Sequence, residues 1–361
     1  MLTDTGALRT IHTIMTMKKI DLRSDTKTLP TDAMRKAMYE AELGDDESGE
    51  DPTVNSLEEL AARMLGKESA LLTASGMMSN LLAVLASIER GDEIITGSLS
   101  HISEIEKGET VFAGAIIRPV CNEPDGTIEL SRIEATIRAR NSRSRNVSLL
   151  CLENTHNYCD GNVLTADYTA AAADIGHRHG LRVHIDGARI FNAAVALNVP
   201  VNELAGPADS VCFCLSKGLS CPVGSLLCGA KAFIADARRW RKILGGQMRQ
   251  AGIIAAAGTA GLTTMVDRLA DDHANARKLA LGLSRMPGIR IQPENVRTNI
   301  VFFEPPASVP AADFIRKLED GSVRMYALAR GETVMVRAVT SRMVTGDDID
   351  EALSRIEHIL T

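Results

Sequence analysis

Short apolar runs alternate with amphipathic stretches over most of this chain. Residues 70–73, 92–96, 115–120, 148–152, 182–185, 210–215 and 225–228 are compact and mostly apolar, the length and composition of strands. Between them, 79–89, 131–138 and 166–179 carry the helical pattern, the last stopped by Gly180. Strands that are apolar at nearly every position are covered on both faces. Strands separated by helices pair in parallel. The pattern therefore predicts an α/β fold with a mainly parallel, seven-stranded sheet and helices on both faces. Upstream, Leu57, Leu60, Ala61 and Leu65 recur at helical spacing and Gly66 is a natural stop. Residues 31–34 open a helix, and the acidic, Gly-containing stretch 44–52 reads as a long irregular loop.

Downstream, 230–243 predicts a basic helix broken at Gly245-Gly246, and 250–284 is strongly helical. The rhythm then changes, with strands at 299–303 and 333–339 and a helix at 312–318. A last helix opens at Thr345, with Asp348 three residues on as a capping-box variant. The expected organisation is a leader over 1–17, a large domain with its N-terminal segment over 18–265, and a smaller C-terminal α+β domain over 266–361. The leader lacks the apolar segment of a signal peptide, and Met15 and Met17 offer alternative starts, so it is expected to be disordered or untranslated.

Composition narrows the function classes. A net charge of −6 and a pI near 5.8 argue against a nucleic-acid partner. The nearest basic run, 138–145, reads as a solvated loop. No apolar run approaches the roughly 18–20 residues of a membrane span. Seven cysteines without a CxxC pair support neither a disulfide framework nor a zinc site. A reducing cytoplasm and no metal are expected.

The candidate chemistry centres on His184-Ile185-Asp186-Gly187-Ala188-Arg189 and Ser216-Lys217-Gly218. One strand delivers an aspartate, an arginine follows three residues later, and a lysine ends the next strand. That set suits pyridoxal phosphate (PLP): the amine attaches to its aldehyde and the carboxylate keeps the ring nitrogen protonated. The ring then accepts electrons from a bond breaking at an amino acid's α-carbon. Ser75-Gly76-Met77, between a strand and a helix start, offers free amides for the phosphate, although an ordinary turn has the same look. His101, expected in a polar loop, offers a flat ring to stack on the cofactor. His156 lies at a strand's C-terminal end, where ligands of open α/β sheets collect, and reads equally as structural. Arg189 and Arg337 offer planar forks for a substrate carboxylate, and Arg337 sits in a strand too apolar for an idle charge. His184 reads as a core histidine; His177 and His179 are surface residues without a role.

From residue 20 onward the chain resembles the L-threonine aldolase (β-eliminating lyase) branch of fold-type I PLP enzymes. The resemblance is carried by IDLRSDTKTLPT (20–31), the segment 44–72, CLENTHN (151–157), HIDGARIFNAAVA (184–196), CLSKGLSCPVGSLL (214–227), the segment 238–258 and VRAVTS (336–341). It implies a PLP-dependent transferase-like fold and cleavage of β-hydroxy-α-amino acids to glycine and an aldehyde. The alternative it leaves open is another PLP reaction, such as β-elimination or transaldol transfer. It implies Lys217 as the attachment lysine, Asp186 as partner of the ring nitrogen and His101 stacked on the ring. Ser75, Gly76 and Met77 would cup the phosphate, and Ser24, Arg189 and Arg337 would hold the substrate carboxylate. Lys242 and Arg249 would lie near the cofactor at a subunit interface of a homotetramer, a dimer of dimers. The base would be a water held by His101 or His156. The chain departs from the family pattern at Met77, Ser48, Ser103 and Ile105, where a threonine, a tyrosine and aromatic residues are usual, and at Arg143, where some members have histidine. None of these falls on Lys217, Asp186 or the two arginines.

Overall fold

The structure, a computed structural model, describes residues 17–139, 146–330 and 333–360. The leader before Met17, most of the basic loop and Arg143 lie outside the described residues. The strands, in chain order, are β1 (Ile20–Asp21), β2 (Ser69–Thr73), β3 (Glu93–Gly97), β4 (Ile116–Val120), β5 (Val147–Glu153) and β6 (Arg182–Asp186). They continue with β7 (Ser210–Cys214), β8 (Ser225–Gly229), β9 (Ile300–Phe303), β10 (Val323–Arg324), β11 (Tyr326–Arg330) and β12 (Thr333–Val339). The chain forms two compact units.

The larger unit, Thr28–Ala270, is built on a seven-stranded sheet of order β2-β8-β7-β6-β5-β3-β4. Only β8 runs antiparallel to its neighbours, and each of the seven apolar runs is one of these strands. Successive strand residues feed opposite faces. Leu72, Ile95, Leu150, Ile185 and Phe213 pack beside the helices Pro52–Leu65, Ala166–Arg178 and Gly252–Thr264. Their neighbours Leu71, Ile94, Leu149, Cys151 and Cys212 pack beside Gly76–Leu85 and Lys231–Ile243. Both faces of the strands other than the edge strand β4 exclude water over most of their length, which is why those strands show little polar alternation. Each fully buried leucine contributes about 1.5–3 kcal/mol of transfer free energy.

The acidic stretch 44–52 is more ordered than its composition suggests. Asp46–Ser48 forms a 3₁₀ turn, and Asp51 caps Pro52–Leu65 by accepting from Thr53 N at 3.1 Å and Val54 N at 3.0 Å. The other oxygen of Asp51 accepts from Gly252 N at 2.8 Å. Asp46 is buried against the fully buried Arg241, whose Nη2 donates to Asp46 Oδ2 at 2.7 Å and whose Nη1 donates to Leu72 O at 2.6 Å. Gly66 ends the helix at φ +65°, as its sequence position predicts.

The smaller unit joins the described N-terminal residues through Lys27 to Asp271–Thr361. It holds the antiparallel sheet β11-β12-β9 and the parallel pair β1-β10. Its core gathers Leu22, Leu283, Phe303, Phe314, Val336 and Ile349. The last helix, Gly346–Leu360, has the expected reciprocal cap: Asp348 N donates to Thr345 Oγ1 at 3.2 Å and Thr345 N to Asp348 Oδ2 at 2.9 Å.

Candidate active site

The C-terminal ends of the parallel strands in the larger unit deliver polar side chains to one edge of the sheet. β6 ends on Asp186, whose buried carboxylate accepts from Ala188 N on Oδ1 at 3.1 Å and from Asn80 Nδ2 on Oδ2 at 2.9 Å. Asn80 sits on the helix Gly76–Leu85, one turn from its start, and its amide nitrogen also reaches Glu106 Oε1 at 2.8 Å. Asn80 Oδ1 lies 3.1 Å from His184 Nε2 and accepts from the Cys212 thiol at 3.1 Å. His184 is a core histidine, as expected. Its other nitrogen pairs with Ser210 Oγ at 2.9 Å, and burial pushes its pKa down to about 4, so the ring is neutral.

His101 follows β3 but does not lie in an open loop: it begins the short helix His101–Glu104, capped by Ser100. Its backbone N donates to Glu153 Oε2 at 2.6 Å, and its Nδ1 meets Glu106 Oε1 at 2.6 Å. One ligating atom each of His101, Glu106 and Asp186 fall within 4.8 Å of one another. Burial alone would lower the His101 pKa. The bond to Glu106 and the charges of Asp186, Glu106 and Glu153 outweigh it and raise the pKa, favouring the imidazolium. Beneath it, burial first and the Glu106 charge second push the Glu109 carboxyl up to about 8.

Lys217 lies three residues beyond β7 and is half-buried. Its carbonyl accepts from Thr28 Oγ1 at 2.9 Å and Ser220 N at 2.9 Å, while its amine makes no hydrogen bond or ion pair among the described residues. Across the sheet edge, Ser75 caps Gly76–Leu85 by accepting from Met78 N at 3.2 Å. The Gly76 and Met77 amides donate to nothing among the described residues. A Cβ on Gly76 would meet Cys214 Sγ at 2.8 Å, so glycine lets this helix start press against β7. The Met77 side chain is exposed and supplies no polar atom.

Arg189 is buried at the start of Ile190–Leu197. His156 is buried too, and neither ring nitrogen meets a hydrogen-bond partner among the described residues. Lys242 and Arg249 pair with the acidic turn: Lys242 with Glu47, and Arg249 with Asp45 at 3.0 Å and Glu47 at 2.6 Å. No hydrogen bond or ion pair joins them to Lys217, Asp186 or His101 among the described residues. In the smaller unit, Ser24 Oγ accepts from Thr26 N at 3.2 Å, and the buried Arg337 on β12 donates through Nη1 to Arg23 O at 3.4 Å.

The residues present fit PLP. A carboxylate is held in place for a ring nitrogen, an amine is unpaired, and two free amides at a helix start face outward for an anion. Sequence reasoning missed Asn80, Glu106, Glu109 and Glu153. The one available signal was Asn80, four positions after Gly76, an amide on a mostly apolar helix whose other polar side chain is Ser79.

The sequence profile described as "Beta-eliminating lyase" matches residues 21–305. The chain is 44% identical over 346 residues to low-specificity L-threonine aldolase 1 of Arabidopsis thaliana, covering 94% of this chain and 96% of that protein. It is 44% identical over 284 residues to low specificity L-threonine aldolase of Escherichia coli K12, covering 78% of this chain and 84% of that one. In fold it is similar to a threonine aldolase from Leishmania major, with TM-score 0.81 at 19% identity over 95% of this chain and all of that one (100%).

Proposed function

This chain belongs to the β-eliminating lyase family, and on that premise we propose that it is a PLP-dependent aldolase cleaving β-hydroxy-α-amino acids to glycine and an aldehyde. The observation that carries the reading is Asp186, fixed by Asn80 and the Ala188 amide, at the same sheet edge as the unpaired amine of Lys217. The 44% identity to L-threonine aldolases over 94% and 78% of the chain makes L-threonine and L-allo-threonine the substrates to try first.

Bound PLP supplies an electron sink conjugated with the amino acid's α-carbon. Lys217 would carry it, Asp186 would hold the proton on its ring nitrogen, and His101 would lie against its face. The Gly76 and Met77 amides, with Ser75, would hold its phosphate. Arg189, Arg337 and Ser24 would grip the substrate carboxylate, a bidentate task suited to guanidinium. That grip sets which α-carbon bond stands perpendicular to the ring. His156, or His101, would hold the water that takes the β-hydroxyl proton. Lys242 and Arg249 would serve the cofactor of a paired subunit in a homotetramer. The free cysteines fit a cytoplasmic setting; among the described residues no helix is long and apolar enough to cross a membrane.

The test is glycine release by the PLP-loaded protein from L-threonine, L-allo-threonine and a bulkier β-hydroxy amino acid. Glycine is expected from at least one. PLP bound without glycine, but with ammonia and the 2-oxo acid of unchanged carbon number (2-oxobutanoate from threonine), would move the reading to β-elimination. Ser48, Met77, Ser103 and Ile105 motivate that comparison.

A further inference from the structure

Glu106 uses only half of its carboxylate. Oε1 pairs with His101 Nδ1 at 2.6 Å and accepts from Asn80 Nδ2 at 2.8 Å. Oε2 is buried, and among the described residues no donor reaches it in hydrogen-bonding geometry. The same holds for both oxygens of Glu109, a residue only 1% exposed on the helix Gly108–Val111. Neighbouring carboxylates in a dry interior do not both ionise, because desolvation and repulsion hold a proton on one. Glu106 already serves two donors, His101 and Asn80, so the proton shared by the pair belongs on the other carboxyl. The proton rests on Glu109. A protonated carboxyl is an O–H donor, and donation to Glu106 Oε2 resolves the unmet positions on both side chains.

We propose that protonated Glu109 is a positioning residue, donating to Glu106 Oε2 and thereby fixing the carboxylate that orients His101 and Asn80 around the cofactor ring. The proposal rests on the reading that His101 and Asp186 serve PLP. The titratable groups facing Glu109 are Glu106 from the preceding turn, Asp186 from β6 and Cys151 from β5. His101 stands beyond Glu106. The helix Gly76–Leu85 contributes neutral Asn80 and packs Leu81 over Gly108. Burial and these carboxyls keep the Cys151 thiol protonated. Loss of the Glu109 proton therefore adds negative charge beside Glu106 and Asp186. His101 then binds its own proton more tightly, and the two glutamates repel each other.

The experiment compares wild type, Glu109→Gln and Glu109→Ala by PLP titration and by histidine ring NMR of the cofactor-free protein across pH. At about pH 7, Glu109→Gln keeps a donor and binds PLP within about twofold of wild type, whereas Glu109→Ala binds at least ~10-fold more weakly. Wild type loses PLP affinity as pH rises through about 8, and its His101 signal shows a step there. Glu109→Gln shows neither. Equal weakening by Gln and Ala, or superposable pH curves for wild type and Gln, overturns the proposal. If no form binds PLP, the cofactor reading itself has failed. The NMR titration then decides the role of Glu109 alone: a His101 step in wild type that is absent in Gln upholds it, and identical curves overturn it.

Discussion

The amide nitrogen of Asn80 donates to Asp186 Oδ2 at 2.9 Å and, from the same atom, to Glu106 Oε1 at 2.8 Å. Its orientation is enforced from behind, because Oδ1 faces His184 Nε2 and accepts the Cys212 thiol. A flipped amide would set its oxygen against two carboxylates. Asn80 thus links the ring-nitrogen partner to the group that holds His101, and four buried side chains depend on one amide.

Asn80→Ala is expected to weaken PLP binding. A hydrogen bond to a charged group is worth ~1.5–3 kcal/mol, which corresponds to roughly 10- to 100-fold in the dissociation constant. Asn80→Asp should be worse, since it places another carboxylate beside Asp186 and Glu106. Equilibrium titration by cofactor absorbance reads both effects, and unchanged affinity in Asn80→Ala would remove Asn80 from the site.

Arg337→Lys keeps the charge on β12 and loses the planar fork. If the residue grips the substrate carboxylate, KM for L-threonine rises about tenfold or more while PLP affinity stays at the wild-type value. Steady-state kinetics beside a PLP titration separate the two quantities. Weaker PLP binding with unchanged KM would assign Arg337 to the fold instead.

The sheet was legible because burial on both faces leaves an unbroken apolar run, and each of the seven runs is a strand. Gly66 and the Thr345–Asp348 cap were legible because caps are local. Asp186 and Lys217 were marked by their positions at strand ends and by the resemblance. Asn80, Glu106 and Glu109 were not, since in sequence they look like ordinary polar residues of a helix and of a polar loop. Their burial follows from the packing of Gly76–Leu85 over β2, β7 and β8, with Gly108–Val111 against that helix, which no local pattern encodes. The acidic stretch misled for the same reason: Asp46 reads as solvated until Arg241, far along the chain, buries it.

That pair makes a stability prediction. Arg241 is fully buried, and Arg241→Ala would leave Asp46 a buried charge without its closest partner and free the Leu72 carbonyl. Breaking a buried ion pair from one side costs ~3–5 kcal/mol. Replacing both partners by apolar residues, Arg241→Met with Asp46→Leu, should recover much of the loss. Urea unfolding of wild type and these two variants measures the loss and its recovery, and a mild Arg241→Ala would mean water reaches Asp46.

Glu109 carries a pH dependence whose sign can be worked out. Its pKa rises from the usual carboxylate value to about 8 on folding. Between about pH 4.5 and 8 the folded protein therefore holds a proton that the unfolded chain has released. Stability from this group falls as pH rises through that window and levels off above it. Glutamine has no proton to lose, so Glu109→Gln removes the slope. The variant should match wild type near pH 5 and exceed it increasingly up to about pH 8, with the excess then levelling off at an amount on the order of a few kcal/mol. Urea unfolding of both proteins at about pH 5, 7 and 9 measures the difference. Parallel curves across that range would show that Glu109 ionises like a surface carboxyl, leaving Glu106 Oε2 without the donor assigned to it.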